Sequence, residues 1–188
     1  MRGPEGSFCI HHSQFCILPD AGSKLSLVKK SVYLGLGSNL DDRRANLQAA
    51  LARLAELGSV RAVSSLYETE PVDLPQQPWF LNCAVALETD LMPRQLLGRL
   101  LAIEQAMGRR RLQPKGPRLI DIDILLFAGS VVDTASLTIP HPALHQRRFA
   151  LEPLAEIAPD ARHPVFKRTV RELRDALPAG PPVVRRLA

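Results

Sequence analysis

Residues 119–127 read Leu119-Ile120-Asp121-Ile122-Asp123-Ile124-Leu125-Leu126-Phe127, an apolar run interrupted only by two acids two positions apart. Continuous apolar composition over this length marks a strand buried on both faces. Side chains at i and i+2 of a strand share a face, so the carboxylates of Asp121 and Asp123 converge on one site, roughly 7 Å apart along the chain. Two like charges on a buried strand lose hydration and repel one another unless something positive stands between them. Magnesium is the natural candidate: Mg²⁺ takes one or two carboxylates together with substrate phosphates, and two such ions about 4 Å apart clamp a transferring phosphoryl group.

Immediately upstream, Arg109, Arg110, Arg111, Lys115 and Arg118 concentrate positive charge on a loop shaped by Gly116 and Pro117. An arginine-rich turn taken alone is a solvated surface loop. Beside a pair of metal-binding acids it suggests a nucleotide site, because guanidinium forks suit phosphate oxygens and stabilise charge that develops in a transition state. The chain has no G-x-x-x-x-G-K-[ST], which excludes a P-loop NTPase, and no kinase-type G-x-G-x-x-G loop. Gly35-Leu36-Gly37 is half of a dinucleotide fingerprint and reads as a tight strand exit.

Outward from this centre the pattern alternates regularly. Val32, Leu34 and Leu36 alternate with Tyr33, Gly35 and Gly37 in a strand that starts at Ser31 and ends in the turn Gly37-Ser38-Asn39. A helix opens at Asp41 or Asp42 and carries Leu47, Ala50, Leu51 and Leu54 on one face until Gly58. Residues 59–67 read as one strand, followed by a loop rich in proline (Pro71, Pro75, Pro78). Residues 79–88 form the next strand, with Phe80, Asn82, Ala84 and Ala86 on one face and Leu81, Cys83, Val85 and Leu87 on the other. A second helix runs from Pro93 to near Met107, with Leu96, Leu97, Leu100 and Ile103 inward. After the acid-bearing strand come an edge strand near Val131, the segment Ile139-Pro140-His141-Pro142, a short helix over residues 151–157, and a last helix with a capping box at Thr169 and Glu172. The order β-α-β-β-α-β predicts an α+β chain with a ferredoxin-like core, additional strands and helices, and three layers, α/β/α.

The bulk properties agree with one soluble globular unit. The 188 residues suffice for a single core, and 46% hydrophobic with 23% charged residues is ordinary for a globular protein. No apolar run reaches the ~20 residues of a membrane helix, so no membrane association is expected. The formal charge of +5 implies an anionic partner, whether nucleic acid, a lipid surface or a polyphosphate. Cys9, Cys16 and Cys83 are too few and too uneven for a disulfide framework, and a reducing cytoplasm is the simplest home. Residues 1–30 read as a flexible extension lacking a signal peptide's apolar core, with residues 31–188 as the catalytic domain; Cys9, His11, His12 and Cys16 fit no standard zinc spacing.

Five short runs then stand in one order: Gly35-Leu36-Gly37-Ser38-Asn39-Leu40, Tyr67-Glu68-Thr69-Glu70-Pro71, Phe80-Leu81-Asn82, Gly116-Pro117-Arg118-Leu119-Ile120-Asp121-Ile122-Asp123 and Pro140-His141-Pro142. In this colinear arrangement the chain resembles the 6-hydroxymethyl-7,8-dihydropterin pyrophosphokinase family, from about Val32 to Leu177. The resemblance implies a diphosphate transfer from ATP to the hydroxymethyl group of the dihydropterin with release of AMP, in folate biosynthesis, with ATP as co-substrate, two Mg²⁺ ions and three loops that close over the site. It further implies that Asp121 and Asp123 bind both ions. Thr69 and Val72 would contact the pterin, Asn82 its amide edge, and Phe80 and Phe149 the two faces of its ring. Arg109, Arg111, Arg118, His141 and Arg147 would meet the triphosphate, and Glu104 would orient a basic neighbour; Arg109, Arg111 and Arg118 join the two acids as the catalytic set. Lys115 stands where many members carry tryptophan, the loop before Arg118 is one residue short, Pro142 replaces an aromatic residue of some members, and Glu70 replaces a common proline.

A ferredoxin-like sheet also suits RNA recognition, but that function needs an aromatic-rich central strand, and here Asp121 and Asp123 would repel phosphates. An inactive scaffold is the other alternative, and intact acids and arginines argue against it. We therefore expect a monomeric cytoplasmic enzyme that binds no nucleic acid.

Overall fold

The computed structural model describes residues 29–72, 76–108, 116–180 and 182–187. In chain order its elements are β1 (Lys30–Ser38), α1 (Arg43–Leu54), β2 (Ser59–Val63), β3 (Tyr67–Thr69), β4 (Phe80–Thr89), α2 (Pro93–Ala106), β5 (Asp121–Phe127), β6 (Val132–Thr134), β7 (Leu137–Ile139), α3 (Arg148–Ile157), α4 (Val170–Asp175) and β8 (Val184–Arg186). Local chemistry explains most boundaries. The Asp42 carboxylate accepts the Ala45 N–H at 3.0 Å and caps α1. Pro93 occupies the first turn of α2, where its missing N–H costs nothing. Thr169 and Glu172 exchange both hydrogen bonds of a capping box ahead of α4. Gly58 closes the turn after α1 because a Cβ there would collide with the Glu88 carbonyl.

The main sheet runs β5-β1-β4-β3-β8, with β2 also on β4, and the paired strands are antiparallel. This places the first strand beside the last of the β-α-β-β-α-β unit, the ferredoxin-like arrangement. One face packs Val32, Leu34, Leu36, Cys83, Val85 and Leu87 against Leu47 and Leu54 of α1 and Leu96, Leu100 and Ile103 of α2. The other packs Ala84, Leu125 and Leu126 against Leu151 and Leu154 of α3 and Val170 and Leu173 of α4. Helices on both faces give the three layers expected from the sequence. The Cys83 thiol sits in the first core, where burial pushes its pKa up to about 12.

A β-bulge shapes β5. Leu34 pairs with Ile124 and Tyr33 with Leu126, so Leu125 is the extra residue. Ahead of the bulge Ile122 and Ile124 face α1 and α2; beyond it Phe127 does, while Leu125 and Leu126 both join the other core.

Several boundaries correct the sequence reading. Residues 59–67 do not form one strand: β2 ends at Val63 and β3 begins at Tyr67. Between them Ser64 donates its N–H to the Ala84 carbonyl and accepts the Ala84 N–H on its hydroxyl, and Ser65 donates both N–H and hydroxyl to Glu156, so side chains replace the ladder. Gly37 and Ser38 belong to β1 and not to a turn, because both pair with β4 as well as extending the strand. The segment near Val131 forms a separate hairpin, β6-β7, instead of an edge of the main sheet. The strand β5 starts at Asp121 and α3 at Arg148, and β8 was not anticipated. The proposed extension lies outside the described residues up to position 28, with Cys9, His11, His12 and Cys16; β1 already begins at Lys30.

Candidate active site

The sheet face opposite α1 and α2 opens into a cleft of about 760 Å³, solvent at its mouth included. Its floor is set by register. Gly37 of β1 stands between Asn82 of β4 and Asp121 of β5, and Gly35 stands between Ala84 and Asp123. Two strand spacings therefore separate Asn82 from Asp121, about 10 Å. Glycine at 37 is a steric requirement, since a Cβ there would lie 2.6 Å from the Asn82 Oδ1.

On one side of this floor the chemistry is charged. Asp121 Oδ2 lies 3.4 Å from Arg118 Nη1, and Asp123 Oδ2 lies 3.6 Å from Arg147 Nη1 and 4.0 Å from His141 Nε2. Burial, followed by the neighbouring Asp121 charge, pushes the Asp123 carboxyl up to about 6, although Arg147 and Arg118 pull in the other direction. His141 is held down at about 4 by burial and by the Arg147 guanidinium. The Ala143 N–H lies 3.2 Å from His141 Nδ1 and the donor-only Arg147 Nη1 lies 3.2 Å from Nε2, so two donors compete for the single lone pair of the neutral ring. The Arg118 Nε is buried and has no acceptor among the described residues, a donor left over in a site lined by arginine. Behind the acids Glu104 of α2, buried, accepts the Ile122 N–H at 2.8 Å and so pins β5 between its two aspartates.

The other side is aromatic and internally paired. Asn82 Nδ2 donates to Thr69 Oγ1 at 2.6 Å, and both side chains are buried. Phe80 and Phe149 line the cleft together with the exposed Val72. Each aromatic ring carries a guanidinium, Arg118 5.5 Å above Phe80 and Arg147 5.6 Å above Phe149, so the same two arginines bound both halves of the site.

Of the residues expected from the sequence, Thr69, Val72, Phe80, Asn82, Arg118, Asp121, Asp123, Arg147 and Phe149 line one cleft, with His141 and Glu104 against the acids. Arg109, Arg111 and Lys115 lie outside the described residues. The sequence reading missed Asn39, Gln77 and Glu70, and it gave Gly35 and Gly37 no part in the site. Asn39, buried, accepts the Arg118 N–H on its Oδ1 at 2.8 Å and donates from Nδ2 to Gln77 Oε1 and the Pro78 carbonyl. A strand ending on a short amide side chain was the available signal, because such groups habitually bond nearby backbone.

The two acids on one strand face fit a divalent cation. The Asp121 charge raises the cost of ionising Asp123, and a cation between them would remove that cost. Among the described residues no group of three or more His, Cys, Asp or Glu is placed to hold a metal. This donor set suits Mg²⁺, which shares its shell with substrate phosphates, better than an all-protein cage. No described helix is long and apolar enough to cross a membrane.

Comparison with known proteins gives the same direction. Residues 33–159 match the family model of 7,8-dihydro-6-hydroxymethylpterin-pyrophosphokinase. The chain is 47% identical over 142 residues to the 2-amino-4-hydroxy-6-hydroxymethyldihydropteridine pyrophosphokinase of Methylorubrum extorquens, covering 74% of this chain and 89% of that protein. It is 42% identical over 156 residues to the folic acid synthesis protein fol1 of Schizosaccharomyces pombe, covering 82% of this chain but only 21% of that longer protein. The wild-type HPPK-DHPS of Plasmodium falciparum solved with pteroate shares the fold at a TM-score of 0.62 and 17% identity, over 78% of this chain and 44% of that one. With a family model spanning most of its length and a bacterial relative matched nearly end to end, the chain belongs to the 7,8-dihydro-6-hydroxymethylpterin-pyrophosphokinase family.

Proposed function

We propose that this chain transfers diphosphate from ATP to the hydroxymethyl group of 6-hydroxymethyl-7,8-dihydropterin, releasing AMP, as a step of folate biosynthesis. The observation that carries the reading is the register across β4, β1 and β5, which sets a buried amide and two acids on one floor with a single glycine strand between them.

In this reading Asn82 presents its amide to the pterin edge while Phe80 and Phe149 stack on the ring, and Thr69 fixes the Asn82 rotamer. Val72 closes the outer rim. Arg118 and Arg147 reach the triphosphate, and the neutral His141 ring stands beside them. Arg109 and Arg111, on the basic loop, are proposed for the same polyphosphate. Asp121 and Asp123 would hold Mg²⁺, two ions in our reading, which neutralise phosphate charge and orient the phosphates when bound. The hydroxymethyl oxygen attacks the β-phosphorus in line, the bond from that phosphorus to the α,β-bridging oxygen breaks, AMP leaves with that oxygen, and the hydroxyl proton passes to solvent. No side chain in the cleft is assigned as a general base. The acceleration comes from positioning and from the arginine field, as is general for phosphoryl transfer. We further propose a monomer that works in the cytoplasm and binds neither nucleic acid nor membrane.

The test is product analysis with purified protein, ATP and 6-hydroxymethyl-7,8-dihydropterin, with Mg²⁺ and with excess chelator. AMP that depends on both pterin and metal is the expected result. ADP would make the chain a simple kinase, and no nucleotide product from folded protein would remove the enzymatic reading.

A further inference from the structure

The family match ends at residue 159, yet a segment well beyond it reaches back to the pterin side of the cleft. Strand β8 pairs with β3 in the register Thr69 with Val184, Glu68 with Arg185 and Tyr67 with Arg186. Its entry residue Val183 makes two bonds to Glu70: the Glu70 N–H donates to the Val183 carbonyl at 3.0 Å, and the Val183 N–H donates to Glu70 Oε2 at 3.2 Å. Arg185 lies 5.3 Å above the ring of Trp79, the residue before Phe80. Arg186 anchors the strand through Ser65 Oγ at 2.8 Å and Glu156 Oε1 at 3.1 Å, and the Leu187 N–H donates to the Leu66 carbonyl.

Glu70 and Val72 line the cleft, and Phe80 forms one of its faces. The segment after β3 and the entry to β4 are thus both held by β8, one through a charge-assisted hydrogen bond and one through a cation over an indole. Holding Oε2 on the β8 side also keeps the Glu70 carboxylate from turning into the half of the cleft proposed for the pterin. We infer that β8 is a positioning element for the pterin half of the site, with Val183 and Arg185 acting through Glu70 and Trp79. The inference rests on the proposed pyrophosphokinase reading and assigns to this strand a share of pterin affinity that excludes the ATP half, whose groups lie on β5 and ahead of α3.

The experiment uses the full chain and two substitutions outside the cleft. Val183→Pro removes the N–H that holds Glu70 while keeping the carbonyl; Arg185→Ala removes the stack on Trp79. Initial rates are measured against each substrate separately, with the thermal midpoint recorded for every protein. Loss of one charge-assisted, solvent-exposed hydrogen bond should raise KM for the pterin about fivefold in Val183→Pro, and the lost stack about twofold in Arg185→Ala, with kcat and KM for ATP unchanged. If Val183→Pro does not fold, Arg185→Ala, at an exposed position, is judged by the same split. An unchanged pterin KM in a folded variant overturns the inference. Parallel rises in both KM values, or a loss confined to kcat, overturn it equally, since a general structural defect behaves in that way. Wild-type protein without pterin-dependent AMP formation would defeat the functional reading itself, a result distinct from either.

Discussion

The two halves of the cleft differ in how complete they are without a ligand. On the aromatic side, proposed for the pterin, Asn82 and Thr69 satisfy each other at 2.6 Å in a buried setting, and Asn39 ties Gln77 and Pro78 to the same framework. On the charged side, proposed for the phosphates, two carboxylates share a face, the Asp123 carboxyl is pushed up to about 6, and the Arg118 Nε has no acceptor among the described residues. The first half is finished by folding, and the second carries electrostatic work that a bound cation and polyphosphate would relieve. Under the proposed function the contrast means that recognition of the planar ring relies on preorganised shape, whereas the charged half exchanges stability for reactivity.

The largest effect should come from removing the acids. Asp121→Ala and Asp123→Ala are each expected to lower kcat by roughly a thousandfold, as loss of electrostatic stabilisation at a reacting centre does, with thermal midpoints equal to or above the wild type. Steady-state kinetics beside thermal scans checks this; a loss under tenfold would place the chemistry elsewhere. A smaller and one-sided effect is expected from Gly37→Ala. Its Cβ would force the Asn82 amide, 2.6 Å away, off its bond to Thr69, raising the pterin KM about tenfold through a misplaced buried amide while the ATP KM stays within about twofold. Equal changes in both constants would dissolve the division into two halves.

The smallest effect is in pH dependence, measured on metal-free protein by urea unfolding from pH 4 to 7. The folded state binds the Asp123 proton more tightly than the unfolded chain does, so this group's contribution to stability falls as pH rises from about 4 to about 6. For His141, held at about 4, the unfolded chain binds the proton more tightly, so its contribution rises with pH up to the ordinary histidine value of 6.5. Relative to wild type, Asp123→Asn should therefore gain stability as pH rises through the first window, by about 1 kcal/mol once screening of a side chain 40% exposed is allowed for. His141→Gln should show its largest relative gain near pH 4 and lose it by pH 6.5. Parallel stability curves for all three proteins would remove the asymmetry.

The acids and Arg118 were legible in the sequence because they are local, within six residues, and strand periodicity alone puts the acids together, whereas His141 and Arg147, which reach Asp123 from remote segments, came only with the family resemblance. The core face of β4 and the inward residues of α1 and α2 were legible for the same reason, as period and burial agree there. The pterin half was not derivable from spacing. Phe80 and Phe149 meet only through tertiary packing, and as isolated aromatics they read like core residues, so resemblance to a family had to supply them. Side-chain hydrogen bonds hid two further features. Ser64 and Ser65 interrupt what propensity reads as one strand, and Asn39 links segments nearly eighty residues apart. Strand β8, three residues of which two are arginine, has neither the length nor the apolar alternation that announces a strand; its place is set by Glu156, Glu70 and Trp79, all remote in sequence.

The extra residue at Leu125 acts as a switch of parity. Were all seven residues to alternate regularly, the parity that aims Asp121 and Asp123 into the cleft would turn Phe127, one of the largest fully buried side chains, away from the core it fills. The bulge, and not only residue identity, thus decides which way the acids look relative to Phe127. A gap that removed Leu125 would abolish the bulge and still leave Phe127 on the face opposite the acids, whereas a gap at Ile122 would make the acids adjacent and turn them to opposite faces, so natural or laboratory variation in this strand should tolerate a single-residue gap at the bulge and not between the acids.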